Sequence, residues 1–161
     1  MKIRPVHAAD APRICEIYNH YVRHSVYTFD EESVTLAQMQ QRINVISASF
    51  PWLIIEQEQT VQGYAYAAAW KPRAAYRYSV ETTIYLHPDA AGQGLGRPLY
   101  QALADELRGR EFHCAMAMIA LPNVPSVKVH EAIGFSKIGH SIEIGHKFDS
   151  WVDVGYWQLL L

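Results

Sequence analysis

A mixed α/β fold, with a central sheet of about seven strands flanked by about four helices, follows from three features of the sequence. Amphipathic stretches at helical spacing alternate with short runs of β-formers. A strand that feeds a helix and then a further strand requires at least one right-handed crossover. The chain ends in two strand-like runs that close the sheet as a hairpin.

Lys2–Val6 reads as the first strand. Asp10 is placed as an N-cap with Pro12 in the first turn, and Ile14, Ile17, Tyr18, Tyr21 and Val22 recur at helical spacing, predicting a helix over 11–24. A polar loop leads to a second helix over 36–46. Trp52–Gln57 and Val61–Trp70 are apolar runs separated by EQT and predict a hairpin. Tyr76–Leu86 is a long third run rich in β-formers. Leu95, Leu99, Leu103 and Leu107 recur every four residues, and Gly109 supplies the stop. Phe112–Ala120 is strand-like. Asn123 then caps a short helix with Pro125 in its first turn and Gly134 as its C′ residue. Phe135–Ile144 and Trp151–Leu160 form the final hairpin.

Composition narrows the function classes. The length of 161 residues fits one domain over 1–161 without disulfides or metal. A net charge of −2 and the lack of any lysine or arginine run remove the electrostatic reason to expect nucleic acid or an anionic membrane. The two cysteines, Cys15 and Cys114, read as buried free thiols. The opening MKIRPVHAADAP has no long apolar stretch and no window approaches a transmembrane span, so a cytoplasmic protein is expected. No histidine pair stands at zinc-ligand spacing with carboxylates or thiols; His20 and His24 are i,i+4 without a completing group.

Residues 87–100 read HPDAAGQGLGRPLY. Glycines at 92, 94 and 96 permit positive φ and close approach of a ligand, and a helix starting near Leu95 points its free N–H groups and positive dipole end at the loop. Taken alone, a phosphate cradle and a plain glycine turn are equally supported. The spacing is G-x-G-x-G, and no Lys-Ser or Lys-Thr pair follows, which removes the dinucleotide and Walker motifs and puts kinase chemistry well behind.

On an unbroken strand, Arg77, Ser79, Glu81, Thr83 and Tyr85 share one face. Glu81 is then either an exposed edge-strand glutamate or a half-buried carboxylate raised toward use as a base. In LPNVPSVKVHEAIGF, Asn123, Ser126 and His130 share one helical face, so His130 is either a core histidine or part of a site.

The turn with G-x-G after a long strand, followed one strand later by N-x-x-S-x-x-x-H-E-x-x-G-F, resembles the GCN5-related N-acetyltransferases. The stretches WKPRAAYRYSVETTIYLHP, ALPNVPSVKVHEAIGF and GHKFDSWVDVGYWQ are similar to the branch that acts on phosphinothricin and on methionine sulfone and sulfoximine. The likeness runs from about residue 2 to 160 and implies a mostly antiparallel sheet and acetyl transfer from acetyl-CoA to the α-amine of a small amino acid. It also implies that the N–H groups of Gly92, Gln93, Gly94, Leu95, Gly96 and Arg97 hold the CoA pyrophosphate. Thr83, Ile84 and Tyr85 would lie along the pantetheine arm, with Asn123 and Ser126 near the same cosubstrate. Glu81 matches the family's candidate general base and His130 its branch-specific catalytic histidine, as proton donor to the thiolate or part of the base relay. Trp70, Lys71, Pro72, Arg73, Tyr76, Val80, Glu81 and Thr82 match the amino-acid site, and a homodimer is implied.

The chemistry is consistent with those roles. The ammonium must lose a proton before its nitrogen attacks, a strand N–H can hold the oxyanion, and Lys71 and Arg73 suit a carboxylate and a phosphinate or sulfone oxygen. Those two cations would also be unremarkable as solvated loop residues. Ala91 stands where the family loop usually opens with Arg or Gln, so one contact is missing that Arg97 or another side chain would have to supply. A non-catalytic sensor with this fold has no need of Glu81 or His130. A protein N-terminus or another amine keeps the chemistry and changes the acceptor; the basic KPRAAYR segment argues against an aminoglycoside.

Overall fold

The computed structural model describes residues 1–161. In chain order the elements are β1 (Lys2–Pro5), α1 (Ala11–His24), α2 (Leu36–Ser47), β2 (Trp52–Gln57), β3 (Thr60–Ala69), β4 (Ser79–Leu86), α3 (Gly96–Gly109), β5 (Cys114–Leu121), α4 (Val124–Ala132), β6 (Ser136–Lys147) and β7 (Ser150–Leu160). The strands make one seven-stranded sheet ordered β1-β2-β3-β4-β5-β7-β6. Every neighbouring pair is antiparallel except β4–β5, which α3 joins as the predicted crossover.

Each face of the sheet has its own core. Leu99, Leu103 and Leu107 of α3 are fully buried against Val80, Ala115 and Ala117, which explains their four-residue recurrence. Burial of each such leucine stabilises the fold by about 1.5–3 kcal/mol. On the opposite face, Ile14, Ile17 and Val22 of α1 and Met39 and Ile43 of α2 cover Trp52, Ile54 and Tyr64. Thr35 opens α2 with a capping box shared with Gln38.

The structure corrects three local expectations. The Asp10 carboxylate does not cap α1; it accepts from the Arg4 guanidinium at 2.8 and 2.9 Å and from the His7 N–H at 2.7 Å. The ion pair on the β1 edge outcompetes a cap. Tyr76 and Arg77 precede β4, because Ala74–Tyr76 forms a 3₁₀ turn, so Arg77 does not share the Glu81 face. Gly109 is the last residue of α3; the left-handed residue that ends the helix is Glu111, at φ 63. On the C-terminal strand Val152, Val154, Trp157 and Leu159 are buried while Trp151 and Leu160 are exposed, and Ile138, Ile142, Ile144 and Phe148 of the same hairpin are exposed as well.

Candidate active site

The parallel pair β4–β5 holds only over Ser79, Val80 and Glu81, paired with Cys114, Ala115 and Met116. Beyond Glu81 the strands part. Residues 82–86 stay paired with β3 on one side, while their edge toward β5 has no strand partner. Such an edge presents unpaired N–H and C=O groups to anything that enters the gap.

Thr82 stands at the closed end of this V. Its hydroxyl donates to the Met116 carbonyl at 3.1 Å, so the 2.6 Å bond between Thr82 and Tyr100 must be donated by the Tyr100 hydroxyl. Both partners are buried. The side chains of Val80 and Thr82 thus belong to the α3 core, and the expectation that they touch an acceptor fails for the side chains; Val80 is flanked by paired strands on both sides, and only from Thr82 onward does the backbone edge toward β5 lack a strand partner.

Alternation along β4 turns Glu81, Thr83 and Tyr85 to the other face. Glu81 is half-buried and makes no hydrogen bond, and burial raises its pKa, with Lys71 opposing the shift. Such an environment shifts a carboxylate in the direction that makes it a better base. Tyr66 of β3 lies opposite Thr83 and stacks on Trp52 with ring centroids 4.2 Å apart. Tyr64, opposite Tyr85, continues this aromatic floor. The sequence reading missed Tyr66; the alternation in YAYAAAW places it on the Glu81 face and would have found it.

Lys71, Pro72, Arg73 and Tyr76 lie exposed in the β3–β4 connection, where the Lys71 ammonium sits 4.9 Å from the centre of the Trp70 ring. Lys71 is brought near Glu81; no contact ties Arg73 or Tyr76 to it. Ile84 turns toward the α3 core, and Tyr85 toward α1.

At the open end of the V, the N–H groups of Gly92, Gly94, Leu95, Gly96 and Arg97 donate to no group of the protein. Gln93 differs: its N–H reaches the Ala90 carbonyl at 3.4 Å and its side chain donates to Asp89 O at 2.7 Å, so it belongs to the turn. Gly92 and Gly94 have φ of 78° and 79°, and a Cβ on either would meet nothing, so glycine is needed for conformation alone. The result is a nest of free N–H groups at the start of α3, a geometry suited to an anion. Ala91 and Arg97 are both exposed beside it.

Asn123 caps α4 as expected, accepting from the Ser126 N–H at 3.3 Å. Ser126 Oγ lies 3.4 Å from His130 Nδ1. His130 is only 3 % exposed, and its Nδ1 lies 2.7 Å from the Ser126 carbonyl. A carbonyl only accepts, so Nδ1 carries the proton and Nε2 offers a lone pair. Burial lowers its pKa to about 4, the Ser126 bond opposing. The ring packs edge-on to Tyr100 at 4.7 Å and Phe135 at 5.3 Å. His130 therefore lies on the Thr82 side of the sheet, with Glu81 on the other. Burial thus favours the neutral ring, whose Nε2 offers a lone pair rather than a proton.

Known proteins match this arrangement. Residues 3–155 match the model of the acetyltransferase (GNAT) domain. The phosphinothricin N-acetyltransferase of Streptomyces viridochromogenes is 39 % identical over 158 residues, covering 98 % of this chain and 86 % of that protein. The crystal structure of a ribosomal-protein-alanine N-acetyltransferase from Brucella melitensis superposes with a TM-score of 0.97 at 33 % identity, covering all of both chains. That of a phosphinothricin acetyltransferase from Sinorhizobium meliloti in complex with acetyl-CoA gives 0.96 at 34 %, covering 99 % of this chain and 88 % of that one. With the family model spanning nearly the whole chain and this identity sustained over it, the chain belongs to the GNAT acetyltransferase family.

Proposed function

We propose that this chain, acting as one domain, transfers acetyl from acetyl-CoA to the α-amine of a small amino acid or amino-acid-like antimetabolite of the phosphinothricin or methionine sulfone and sulfoximine type. The observation that carries the reading is the V between β4 and β5, with free N–H groups at its open end and a hydrogen-bond-free Glu81 at its closed end. The acetyl-CoA complex of the Sinorhizobium meliloti protein supports the cosubstrate.

In this mechanism the nest of Gly92, Gly94, Leu95, Gly96 and Arg97 binds the pyrophosphate, and the free edge of Thr83, Ile84 and Tyr85 aligns the pantetheine amides. Asn123 and Ser126 border the same arm from α4. Glu81, directly or through a water, takes a proton from the acceptor ammonium; the freed nitrogen attacks the thioester carbonyl, and an N–H of the β4 edge receives the developing oxyanion. The C–S bond breaks, the amide forms, and CoA leaves with a proton from the amine. His130, held neutral, accepts through Nε2 and orders water on the far side of the gap. Lys71 and Arg73 bind the acceptor carboxylate or its tetrahedral polar tail, with Trp70 and Tyr76 as walls. Acetylation of the α-amine would neutralise such an antimetabolite and confer resistance to it.

Thiol release tests the activity: the protein is mixed with acetyl-CoA and phosphinothricin or methionine sulfone, and free CoA is followed with a thiol reagent. No thiol from any small amine, despite tight acetyl-CoA binding, would refute it and favour a binding sensor. The likeness to the Brucella melitensis protein favours one second reading, a protein N-terminal alanine as acceptor. An alanine-ended peptide acetylated more efficiently than the amino acids would establish it. Against it stands the cationic Lys71 beside Glu81, which suits an acceptor that keeps its own carboxylate.

We also propose a homodimer in the cytoplasm. The exposed Ile138, Ile142, Ile144, Phe148 and Trp151 on the β6–β7 hairpin support the dimer, and the two buried free thiols fit a reducing compartment. A monomer by light scattering at micromolar concentration would contradict the dimer.

A further inference from the structure

The segment between α1 and α2 crosses the wide end of the V on the Glu81 face, and both of its flanks are fastened. On the β4 side, the Tyr85 hydroxyl donates to the Tyr27 carbonyl at 3.3 Å. The Thr28 hydroxyl is held by Tyr18 at 2.8 Å, and Tyr18 in turn donates to Asp30 at 2.6 Å and packs edge-on to Tyr85. On the other side stands the tip of the β6–β7 hairpin. β5 ends at Leu121, paired with Asp153, so residues 145–152 run past the sheet body and are free to curl over the opening. There the Lys147 ammonium, its side chain 1 % exposed, donates to the Thr28 carbonyl at 2.8 Å, and the tip of the Phe29 ring abuts Gly145, where any Cβ would overlap it.

A buried ammonium needs a reason to be there, because desolvation of a charge is costly unless it is bound. Lys147 finds the Thr28 carbonyl and the nearby carboxylates of Asp30 and Glu31, all on the crossing segment. A glycine at 145 has no positive φ to explain it; the space it leaves is filled by Phe29 alone. Two independent contacts thus tie the adjacent residues Thr28 and Phe29 to the hairpin.

We infer that Lys147 is a positioning residue for the acceptor: it fastens residues 27–30 as a strap across the V, closing the Glu81 face at its wide end. An acceptor then reaches Glu81 only past the Lys71–Tyr76 connection, with its cationic groups. The hairpin-side fastening, Lys147 on Thr28 and Gly145 against Phe29, involves neither the nest nor the β4 edge, so loosening it affects the acceptor and not the cosubstrate. This rests on the proposed acetyl transfer.

The test compares the parent protein with Lys147→Met, Lys147→Arg and Gly145→Ala, using methionine sulfone and acetyl-CoA as varied substrates. Expected is a tenfold or greater rise in the KM for methionine sulfone in Lys147→Met and Gly145→Ala. The KM for acetyl-CoA should stay within about twofold, and Lys147→Arg should recover part of the acceptor affinity. Should Lys147→Met fail to fold, Gly145→Ala, which loosens the other fastening without removing a charge, decides alone. An unchanged acceptor KM, or an equal rise for both substrates, overturns the strap. A parent protein that releases no thiol overturns the activity itself, an outcome separate from either.

Discussion

The Tyr100 hydroxyl donates to Thr82 Oγ1 at 2.6 Å, and Thr82 passes the bond to the Met116 carbonyl at 3.1 Å across the closed end of the V. The relay ties α3, β4 and β5 together at the one place where the parallel pairing stops. Its directionality predicts unequal costs. Tyr100→Phe leaves the Thr82–Met116 bond in place and should cost about 1 kcal/mol. Thr82→Val removes both bonds and strands a buried hydroxyl on Tyr100, costing about 2–3 kcal/mol. Urea denaturation of the two variants measures the difference; equal losses would refute the relay.

Glu81→Gln should lower kcat by about two orders of magnitude or more, the typical contribution of a general base, and leave acetyl-CoA binding intact. The pH profile carries a second signature. Burial raises the pKa of Glu81, and the base is the deprotonated form, so kcat/KM of the parent falls as pH drops through that raised value. The residual activity of Glu81→Gln should lack this acid limb. Unchanged kcat in the variant removes Glu81 from the mechanism.

Periodicity made the helices and most strands legible, because α1 and α3 each bury one face on the sheet and their apolar residues had to recur every turn. The site was legible where backbone chemistry dictates residue type, as at Gly92, Gly94 and the Asn123 cap. It was illegible where it depends on which strand stops pairing with which. Nothing local in Val80, Glu81 and Thr82 says that β5 leaves β4 there, yet that event divides core from cleft and sends the side chains of Val80 and Thr82 to the core. Residues 25–35 read only as a polar loop, because their partners, Lys147 and Gly145, lie more than a hundred positions away.

Ala91→Arg should tighten acetyl-CoA. Ala91 is exposed at the edge of a nest built from backbone N–H groups, and Asp89, the nearest acidic residue in sequence, is turned to solvent beside His87. A solvent-accessible charge-assisted contact with a phosphate contributes about 1 kcal/mol, so the KM for acetyl-CoA should fall roughly fivefold at low salt and less at high salt. The acceptor KM should not move. An unchanged KM for acetyl-CoA would place the pyrophosphate elsewhere than against residue 91.

His130 makes stability depend on pH in a defined window. Its pKa is held near 4 by burial, against an ordinary value of 6.5 in the unfolded chain. Between those values the unfolded state binds a proton that the folded state does not, so stability rises with pH across the window and is fully present above it. Acidification from about pH 7 toward 4 should therefore remove on the order of 3 kcal/mol. His130→Gln titrates no imidazole and should lose that slope while keeping the dependence due to the carboxylates. Guanidinium denaturation of both proteins at pH 7, 5.5 and 4.5 supplies the comparison. Parallel pH curves for the two would mean that His130 is protonated in the folded protein, and that Nε2 is a donor after all.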